Sequence, residues 1–305
     1  MTEVVAALDC GSNSTRLLIA NRDRALQRDM RITRLSEGVD ASSSLLPRAM
    51  ERTFQVLREF RSFMDAASVQ RGLLVATSAV RDARNGEEFL EGATNIVGVE
   101  ASILEGDEEA RLSYLGATLD LDPDDRPTMI LDIGGGSTEM AVRFEGALLS
   151  FSMQLGCVRV TERALGTGIV TPDRDLAARQ MISYEIDRAF AAVPAFQEVV
   201  GDVRLVGLAG SVATLAQLDI GLETYDRSKV HHHVMSRDVV EAWRRRLAGE
   251  SPEDRLREKG MVSGREDVLT SGLYVLAAVM DRFETMELLS SENDILDGIT
   301  HSLLA

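Results

Sequence analysis

The chain opens with two short apolar runs separated by small and polar residues. Residues 4 to 8 are apolar, residues 9 to 15 are small or polar, and residues 17 to 20 are apolar again. Short aliphatic runs joined by Gly, Ser and Asn are typical of a β-hairpin. The same order returns at residues 130 to 144, so the pattern predicts two hairpins far apart in the chain.

The remaining pattern alternates between short apolar runs and helical periodicity. In the segment that begins at Pro47, apolar residues at Met50, Phe54, Leu57 and Phe60 share one face of a helix. Further strands are predicted at 30–35, 72–80, 99–104, 128–133, 139–144, 147–153, 203–210 and 229–235, and further helices at 87–98, 107–121, 173–192, 211–218, 237–248 and 265–283, before a final strand and helix. Strands that alternate with helices indicate an α/β fold with parallel strands.

The chain is long enough for two domains, since its 305 residues exceed the usual size of one. The charged, proline-containing segment DPDDRP at 122–127 is the best boundary. We therefore predict domains at 1–126 and 127–305, with the last helix, about 294–305, packing back on the first domain. Each domain opens with three strands around an Asp-Gly-Ser loop, which indicates a duplicated fold with a cleft between its halves.

The two hairpins match at more than their turns. Aligned without gaps, they pair Leu8 with Leu131, Asp9 with Asp132, Gly11 with Gly134, Ser14 with Ser137 and Thr15 with Thr138. An ordinary turn does not need these residues in register. Glycines let backbone N–H groups approach an anion, and hydroxyls add donors. The sequence thus predicts phosphate-binding loops at Gly11, Ser12, Asn13 and Ser14 and at Gly134, Gly135, Gly136, Ser137 and Thr138. Asp9 and Asp132 at the strand ends either hold Mg²⁺ or cap the turns.

Composition excludes several classes of function. A net charge of −16 argues against a nucleic-acid surface, and no apolar run reaches the length of a membrane span. Two cysteines, Cys10 and Cys157, predict neither a disulfide framework nor a zinc site. A thiol in the first loop and the absence of a leader pattern favour a cytoplasmic protein.

Two runs of like residues invite further interpretations. On the strand predicted at 229–235, successive side chains point to opposite faces, so His231, His232 and His233 are not expected to converge on one metal ion. The Arg244 to Arg246 run is expected to form a solvated helix face.

Six segments, in order and spacing, resemble motifs of the exopolyphosphatase and guanosine pentaphosphate phosphohydrolase family, also called Ppx/GppA. They are ALDCGSNSTRLL, ATSAVRDARN, EGDEEARLSYLG, ILDIGGGSTE, GLAGSVATL and GREDVLTSG. The resemblance implies two ribonuclease-H-like domains, as in the actin, heat-shock chaperone and sugar-kinase superfamily. It also implies a hydrolase that acts on phosphorus-containing acid anhydrides, and it matches the short, two-domain members.

The resemblance also implies roles for single residues. Glu109 corresponds to the proposed general base and Arg81 to a phosphate-binding arginine. Asp132 and Glu139 correspond to the metal ligands, to which the strand-end Asp9 is added from its position alone. Gly210, Ser211 and Arg265 correspond to substrate-binding positions. Arg265 is expected at a helix start, where the helix dipole favours an anion. Without the motif, Glu108 and Glu109 are equally good candidates, because neighbouring side chains on a helix lie about 100° apart.

These observations predict a cytoplasmic, Mg²⁺-dependent exopolyphosphatase that releases terminal orthophosphate, with short chains preferred. A monovalent cation activator and a homodimer are further expectations that come from the family. The main competing hypothesis is removal of the 5′-γ-phosphate of guanosine pentaphosphate. Two further hypotheses are a superfamily kinase that binds adenosine at GLAGSVATL and a sensor that binds polyphosphate or nucleotide without turnover.

Overall fold

The computed structural model describes residues 3–305. The strands are β1 (Val4–Cys10), β2 (Ser14–Asn21), β3 (Ala25–Ile32), β4 (Arg71–Ala76), β5 (Glu100–Ile103), β6 (Thr128–Ile133), β7 (Thr138–Phe144), β8 (Ala147–Met153), β9 (Arg204–Leu208), β10 (Val234–Ser236) and β11 (Glu287–Ser290). The helices are α1 (Val39–Ser42), α2 (Pro47–Ala66), α3 (Ser78–Arg81), α4 (Gly86–Val97), α5 (Gly106–Ala117), α6 (Cys157–Val160), α7 (Pro172–Ala192), α8 (Ala209–Ile220), α9 (Arg227–Val230), α10 (Arg237–Ala248), α11 (Pro252–Arg255), α12 (Leu269–Arg282) and α13 (Ile295–Leu304). A π-helical turn spans Thr161–Leu165 and a 3₁₀ helix spans Pro194–Val199.

Two mixed sheets organise the chain in the same way. The first has the order β3-β2-β1-β4-β5, in which β1, β2 and β3 are antiparallel neighbours and β4 and β5 run parallel to β1. The second repeats this order as β8-β7-β6-β9-β11 and adds β10 antiparallel at the edge. This repeat confirms the predicted fold class, an α/β fold built from two ribonuclease-H-like domains.

Buried apolar faces hold the helices on the sheets. Helix α2 starts at Pro47 and buries Met50, Leu57, Phe60 and Met64 on one face. Burying each such side chain contributes about 1.5–3 kcal/mol relative to leaving it in water. The periodicity seen in the sequence therefore gives the helix its orientation on the first sheet.

Contacts divide the described chain into two units. Unit 1 comprises residues up to Gly116 together with Asp294–Ala305, and unit 2 comprises Ala117–Asn293. Residues 117–126, which the sequence assigns to the first domain, group with unit 2, and the boundary at 126/127 stays a prediction. Helix α13 packs in unit 1, where it shares a core cluster with β1, β2 and α5. None of the helices in residues 3–305 has the length and apolar composition needed to cross a bilayer.

Several local predictions were wrong, among them the strand predicted at 30–35, which is β3 and spans Ala25–Ile32. The strand predicted at 72–80 ends at Ala76, and Ser78–Arg81 form helix α3. Most of the strand predicted at 229–235 is helix α9 and a turn, because β10 begins only at Val234. The helix predicted from residue 265 begins at Leu269, which leaves Arg265 in the preceding turn.

Candidate active site

The first predicted phosphate loop is a tight connection between β1 and β2. Gly11 N–H donates to the Ser14 carbonyl oxygen at 3.0 Å, and a Cβ at Gly11 would lie 3.1 Å from the same oxygen. The segment after β3 braces the loop, since the backbone N–H groups of residues 33 and 34 donate to the Asn13 carbonyl and that of Ser36 donates to the Ser12 carbonyl. The loop backbone is therefore fixed by its neighbours in unit 1.

Side chains of the first loop provide donors. The hydroxyls of Ser12 and Ser78 lie 2.9 Å apart, which joins the loop to the N-terminal end of helix α3. The Asn13 Nδ2 atom is buried and finds no hydrogen-bond partner within residues 3–305. A buried donor of this kind favours a ligand that supplies the missing acceptor.

Helices α3 and α5 bring Arg81 and Glu109 together. Arg81 Nη1 donates to Glu109 Oε2 at 3.3 Å and to the Leu104 carbonyl at 2.6 Å, and Arg81 Nη2 is buried with no partner in the described part of the chain. Glu109 is only 8% exposed. The pair therefore combines a buried carboxylate with a guanidinium whose Nη2 group has no partner among the described residues.

The neighbouring carboxylate faces the other way. Glu108 is paired with Arg111 through two hydrogen bonds of 2.7 Å, and 44% of its side chain is exposed. The hydrogen bond from Arg111 lowers the pKa of Glu108. The structure therefore places Glu109, and not Glu108, on the same side as Arg81. The role of Glu109 as general base stays a prediction.

The Asp9 carboxylate forms an ion pair with Arg16, which lies in the same unit. Asp9 and Arg16 are register partners on β1 and β2, and Arg16 donates to Asp9 Oδ2 from Nε at 2.8 Å and from Nη2 at 2.6 Å. Arg16 also donates to Asp294, the N-cap of helix α13, at 2.5 Å. Burial raises the pKa of Asp9 even though Arg16 opposes this. Asp9 Oδ1 is buried and has no partner among the described residues.

The second repeat carries two carboxylates at the equivalent positions. Asp132 and Glu139 are register partners on β6 and β7, so both side chains leave the same face of the sheet. Both are buried, and Glu139 Oε1 accepts a hydrogen bond from the Ser152 hydroxyl at 2.7 Å. Glu139 thus stands where the first repeat has Arg16. Mg²⁺ is commonly held by one or two carboxylates together with substrate phosphates, and this pair fits that donor set.

The second phosphate loop rests on the residues that follow β8. The carbonyls of Gly134 and Gly135 accept hydrogen bonds from the N–H groups of residues 157 to 159. A Cβ at Gly156 would overlap the Gly135 carbonyl, so the loop needs a glycine beneath it. Gly134, Gly135 and Gly136 have no positive φ. Their lack of side chains therefore lets a ligand approach the loop backbone closely. It is not needed for an unusual backbone angle.

The hydroxyls of the second loop differ in their surroundings. Thr138 donates to the Leu155 carbonyl at 2.5 Å, which commits its proton to bracing the loop. Ser137 is buried, and its carbonyl oxygen would lie 3.0 Å from a Cβ at Gly134. The first loop shows the same relationship between Gly11 and Ser14, so the duplicated motif has matching turns.

The remaining predicted substrate-binding residues of unit 2 meet at the start of helix α8. A Cβ at Gly210 would overlap the guanidinium group of Arg265, which is 8% exposed. A Cβ at Gly272 of α12 would overlap the Ser211 hydroxyl. Burial raises the pKa of Cys157, while the Arg265 charge and a hydrogen bond with Ser211 oppose the rise. Gly210, Ser211 and Arg265 therefore lie together, with Cys157 as a small buried neighbour.

The three histidines do not converge on one point, as predicted, although two of them meet at Asp120. His231 Nε2 lies 2.9 Å and His232 Nε2 3.6 Å from the Asp120 carboxylate, and the two rings stack at 3.8 Å. Within residues 3–305 this is the one group of three side chains with metal-ligand spacing.

Its hydrogen bonds disfavour a metal ion. The Glu292 N–H donates to His231 Nδ1 at 3.0 Å, so the neutral ring carries its proton on Nε2 and donates it to Asp120. A metal-bound histidine has the opposite arrangement, with the second nitrogen acting as donor. His233 pairs separately with Asp219 at 2.7 Å. The cluster therefore stabilises the contact between the segments that carry Asp120, His231 and Glu292.

The predicted solvated face at 244–246 was wrong for one residue. Arg244 is 7% exposed, donates twice to Glu241 at 2.7 Å and lies over the Tyr274 ring. Arg245 and Arg246 are exposed, as expected. One arginine of the run thus belongs to the packing of α10 on α12.

Sequence analysis missed several residues that hold the site. Ser78 stands inside the motif ATSAVRDARN, but nothing in the sequence showed its contact with Ser12. No motif or periodic pattern in the sequence indicated that Gly156 or Arg16 has a role in the site. For Arg16, extending the gapless alignment of the two hairpins by one residue pairs it with Glu139, and this contrast is a signal that could have found it.

Comparisons with known proteins agree with the fold. A model of the Ppx/GppA phosphatase family matches residues 19–305, a range that begins after the first phosphate loop. Exopolyphosphatase 2 of Mycobacterium tuberculosis is 35% identical, with 98% of each chain covered. A crystal structure of an exopolyphosphatase-like protein is 33% identical with a TM-score of 0.93, covering 99% of this chain and 98% of that one. The Aquifex aeolicus member of the Ppx/GppA family is 28% identical with a TM-score of 0.82, covering 100% and 98%.

The extent of these matches leaves little of the chain outside them. The family match, the relative over nearly the full length and the agreement of the fold all involve both units. The chain therefore belongs to the Ppx/GppA phosphatase family, and it is a hydrolase that acts on phosphoric anhydride bonds.

Proposed function

We propose that this protein is an exopolyphosphatase, which uses water to release the terminal orthophosphate of inorganic polyphosphate. The observation that carries the proposal is the buried pair of Glu109 and Arg81, 3.3 Å apart, beside a glycine loop with buried donors. A similar protein of M. tuberculosis bears the name exopolyphosphatase 2. The proposed substrate follows from that likeness together with the donor set.

In the proposed reaction, Glu109 accepts a proton from water as the water oxygen bonds to the terminal phosphorus. The bond between that phosphorus and the bridging oxygen breaks, and the shortened chain leaves with the bridging oxygen as part of its new terminal phosphate. Arg81 Nη2, a donor without a partner in residues 3–305, neutralises charge on the equatorial oxygens. One water is consumed for each orthophosphate released.

The proposed cofactor is Mg²⁺. A monovalent cation is proposed as an additional activator. Asp132 and Glu139 would hold the divalent ion. In unit 1, Asp9 Oδ1 is a buried oxygen without a partner among the described residues. When bound, Mg²⁺ would neutralise phosphate charge during transfer. The backbone of the two glycine loops and the Arg265 guanidinium would bind the remaining phosphate oxygens.

Short chains are the proposed preference. The protein carries a net charge of −16, so a long polyanion is repelled outside the immediate site. A processive enzyme must hold the shortened polymer by contacts away from the reacting end. We therefore expect distributive action, with intermediates of all lengths during digestion. We also place the enzyme in the cytoplasm and expect a homodimer.

Orthophosphate release from a panel of substrates tests the proposal. Tripolyphosphate, a long-chain polyphosphate, guanosine pentaphosphate and ATP are compared at equal terminal-phosphate concentration with Mg²⁺. The highest kcat/KM is expected for tripolyphosphate. A higher value for guanosine pentaphosphate would favour 5′-γ-phosphate removal instead, and ATP consumption only in the presence of an acceptor would indicate a kinase.

A matched variant ensures that release comes from this site. Glu109→Gln keeps the side-chain size and should lower the rate of release from every substrate in the panel by about 100-fold or more. Release at the wild-type rate in this variant would indicate a contaminating phosphatase or a different base.

A further inference from the structure

Arg255 is a buried guanidinium whose hydrogen bonds go to four backbone carbonyls. Its side chain is 1% exposed. Nε donates to the Leu247 carbonyl at 2.9 Å, Nη1 to those of Thr167 at 2.7 Å and Glu266 at 3.1 Å, and Nη2 to that of Gly168 at 3.0 Å. Burial lowers the pKa of Arg255, because its charge loses contact with water. A buried charge needs hydrogen bonds to offset its loss of water, and these four carbonyls provide them.

One of the three segments that Arg255 joins carries Arg265. Glu266, whose carbonyl accepts from Arg255, directly follows Arg265 in the turn before α12. The turn also has hydrogen bonds from the N–H groups of residues 268 and 269 to the Arg265 carbonyl. The backbone of Arg265 is therefore fixed from both sides, while its guanidinium lies against Gly210.

A second segment continues from the phosphate loop. Helix α6 supports Gly134 and Gly135, the π-helical turn follows it, and the chain then passes through Gly166 to Gly168. Thr161 in the π-helical turn shares a hydrogen bond of 2.6 Å with Ser271 of α12. Arg255 therefore links two segments by hydrogen bonds, namely the chain that follows the phosphate loop and the turn that carries Arg265.

We propose that Arg255 is a positioning residue for substrate binding, which sets the Arg265 guanidinium relative to the second phosphate loop. This inference rests on the proposed function, because it gives Arg265 a phosphate to bind. Lysine cannot replace Arg255, since a single ammonium group has no planar array of donors to reach four carbonyls in three segments. The third segment, the end of α10 at Leu247, anchors the guanidinium to the body of unit 2.

Arg255→Lys, compared with Arg244→Lys, tests this role. Both replace a buried arginine of unit 2 by lysine, but Arg244 bonds to Glu241 and packs on Tyr274. Both variants should lose thermal stability. Only Arg255→Lys should raise KM for tripolyphosphate, by about tenfold, the scale expected for a misplaced charged hydrogen bond. Its kcat should stay within about threefold of wild type.

A double-mutant cycle with Arg265→Ala separates positioning from general damage. If Arg255 acts through Arg265, the double variant should have the same KM as Arg265→Ala alone. Equal KM values for Arg255→Lys and Arg244→Lys, or additive effects in the cycle, would overturn the proposal. Arg255→Gln, which keeps two donors, replaces the lysine variant in the same measurements if that variant does not fold.

Binding measured without turnover tests the positioning role separately from the proposed function on which it rests. Calorimetric titration of tripolyphosphate into Glu109→Gln, with and without Arg255→Lys, should show about tenfold weaker binding in the double variant. Equal binding rejects the positioning role and leaves the proposed function standing. A wild-type protein that neither binds tripolyphosphate nor releases phosphate from it would reject the proposed function, and the positioning role with it.

Discussion

Arg81 Nη1 lies 3.3 Å from Glu109 Oε2 and 2.6 Å from the Leu104 carbonyl oxygen. This contact joins helix α3, which begins at the first loop's serine partner Ser78, to the first turns of helix α5. It holds the Glu109 carboxylate in a buried position, whereas Glu108 pairs with Arg111 at the surface. Two adjacent glutamates therefore have different surroundings.

Glu109→Gln should reduce kcat on polyphosphate by about 100-fold or more, the usual scale for loss of a general base. Tripolyphosphate binding should be retained, because the amide keeps the size of the side chain. Glu108→Gln is the matched control and should have kcat within about twofold of wild type. Steady-state phosphate release and calorimetric binding measure the two effects. An inactive Glu108→Gln beside an active Glu109→Gln would assign the base to Glu108.

Gly156→Ala should disturb the second phosphate loop, because a Cβ there overlaps the Gly135 carbonyl. We expect KM for tripolyphosphate to rise by about tenfold or more as the loop shifts. Gly249→Ala is the control, since its Cβ would lie 3.5 Å from the nearest atom, an ordinary contact. Unchanged KM in a folded Gly156→Ala protein would show that the loop does not bind phosphate.

Removal of divalent ions should abolish activity, and Glu139→Gln should require more Mg²⁺ to restore it. Glu139 is buried opposite Asp132, so the variant removes one charge from the proposed ligand pair. Glu145→Gln is the control, since that residue lies in the turn between β7 and β8. Titration of phosphate release with Mg²⁺ after chelation measures the midpoint. An identical midpoint in all three proteins would rule out Glu139 as a ligand.

The Glu241 carboxylate should make stability depend on acid pH. The hydrogen bond from Arg244 is the main cause that lowers the pKa of Glu241 to about 2, against 4.5 as its ordinary value. A lowered pKa stabilises the fold above the unfolded value, and this contribution is lost as the pH falls from about 4.5 towards 2. Glu241→Gln should therefore be less stable than wild type near neutral pH, with a smaller difference near pH 3. Urea unfolding at both values measures this, and a constant difference would contradict it.

The repeated hairpins were predictable from sequence because their evidence is local. Each apolar run, glycine and hydroxyl of the loops can be identified in the chain, and the in-register match of Asp9 with Asp132 adds a second, independent signal. The sequence could not choose between Glu108 and Glu109, since helical phase alone does not say which side faces Arg81. That choice depends on where α3 packs against α5.

The errors came from tertiary contacts that override local patterns. The three histidines were predicted on a strand, but hydrogen bonds to Asp120 and Glu292 hold His231 in a turn and change which side chains meet. Arg255 and Gly156 show no pattern in sequence, because their partners are backbone carbonyls of other segments. Backbone partners leave no residue type by which such contacts could be recognised.

Hydrolysis in water enriched in oxygen-18 tests the central claim most directly. If water attacks the terminal phosphorus of polyphosphate, each orthophosphate released in the first turnovers carries one heavy oxygen, and the remaining chain is unlabelled and one unit shorter. Mass spectrometry of both products distinguishes the outcomes. Label in the shortened chain, or cleavage into fragments without orthophosphate, would contradict the proposed exopolyphosphatase.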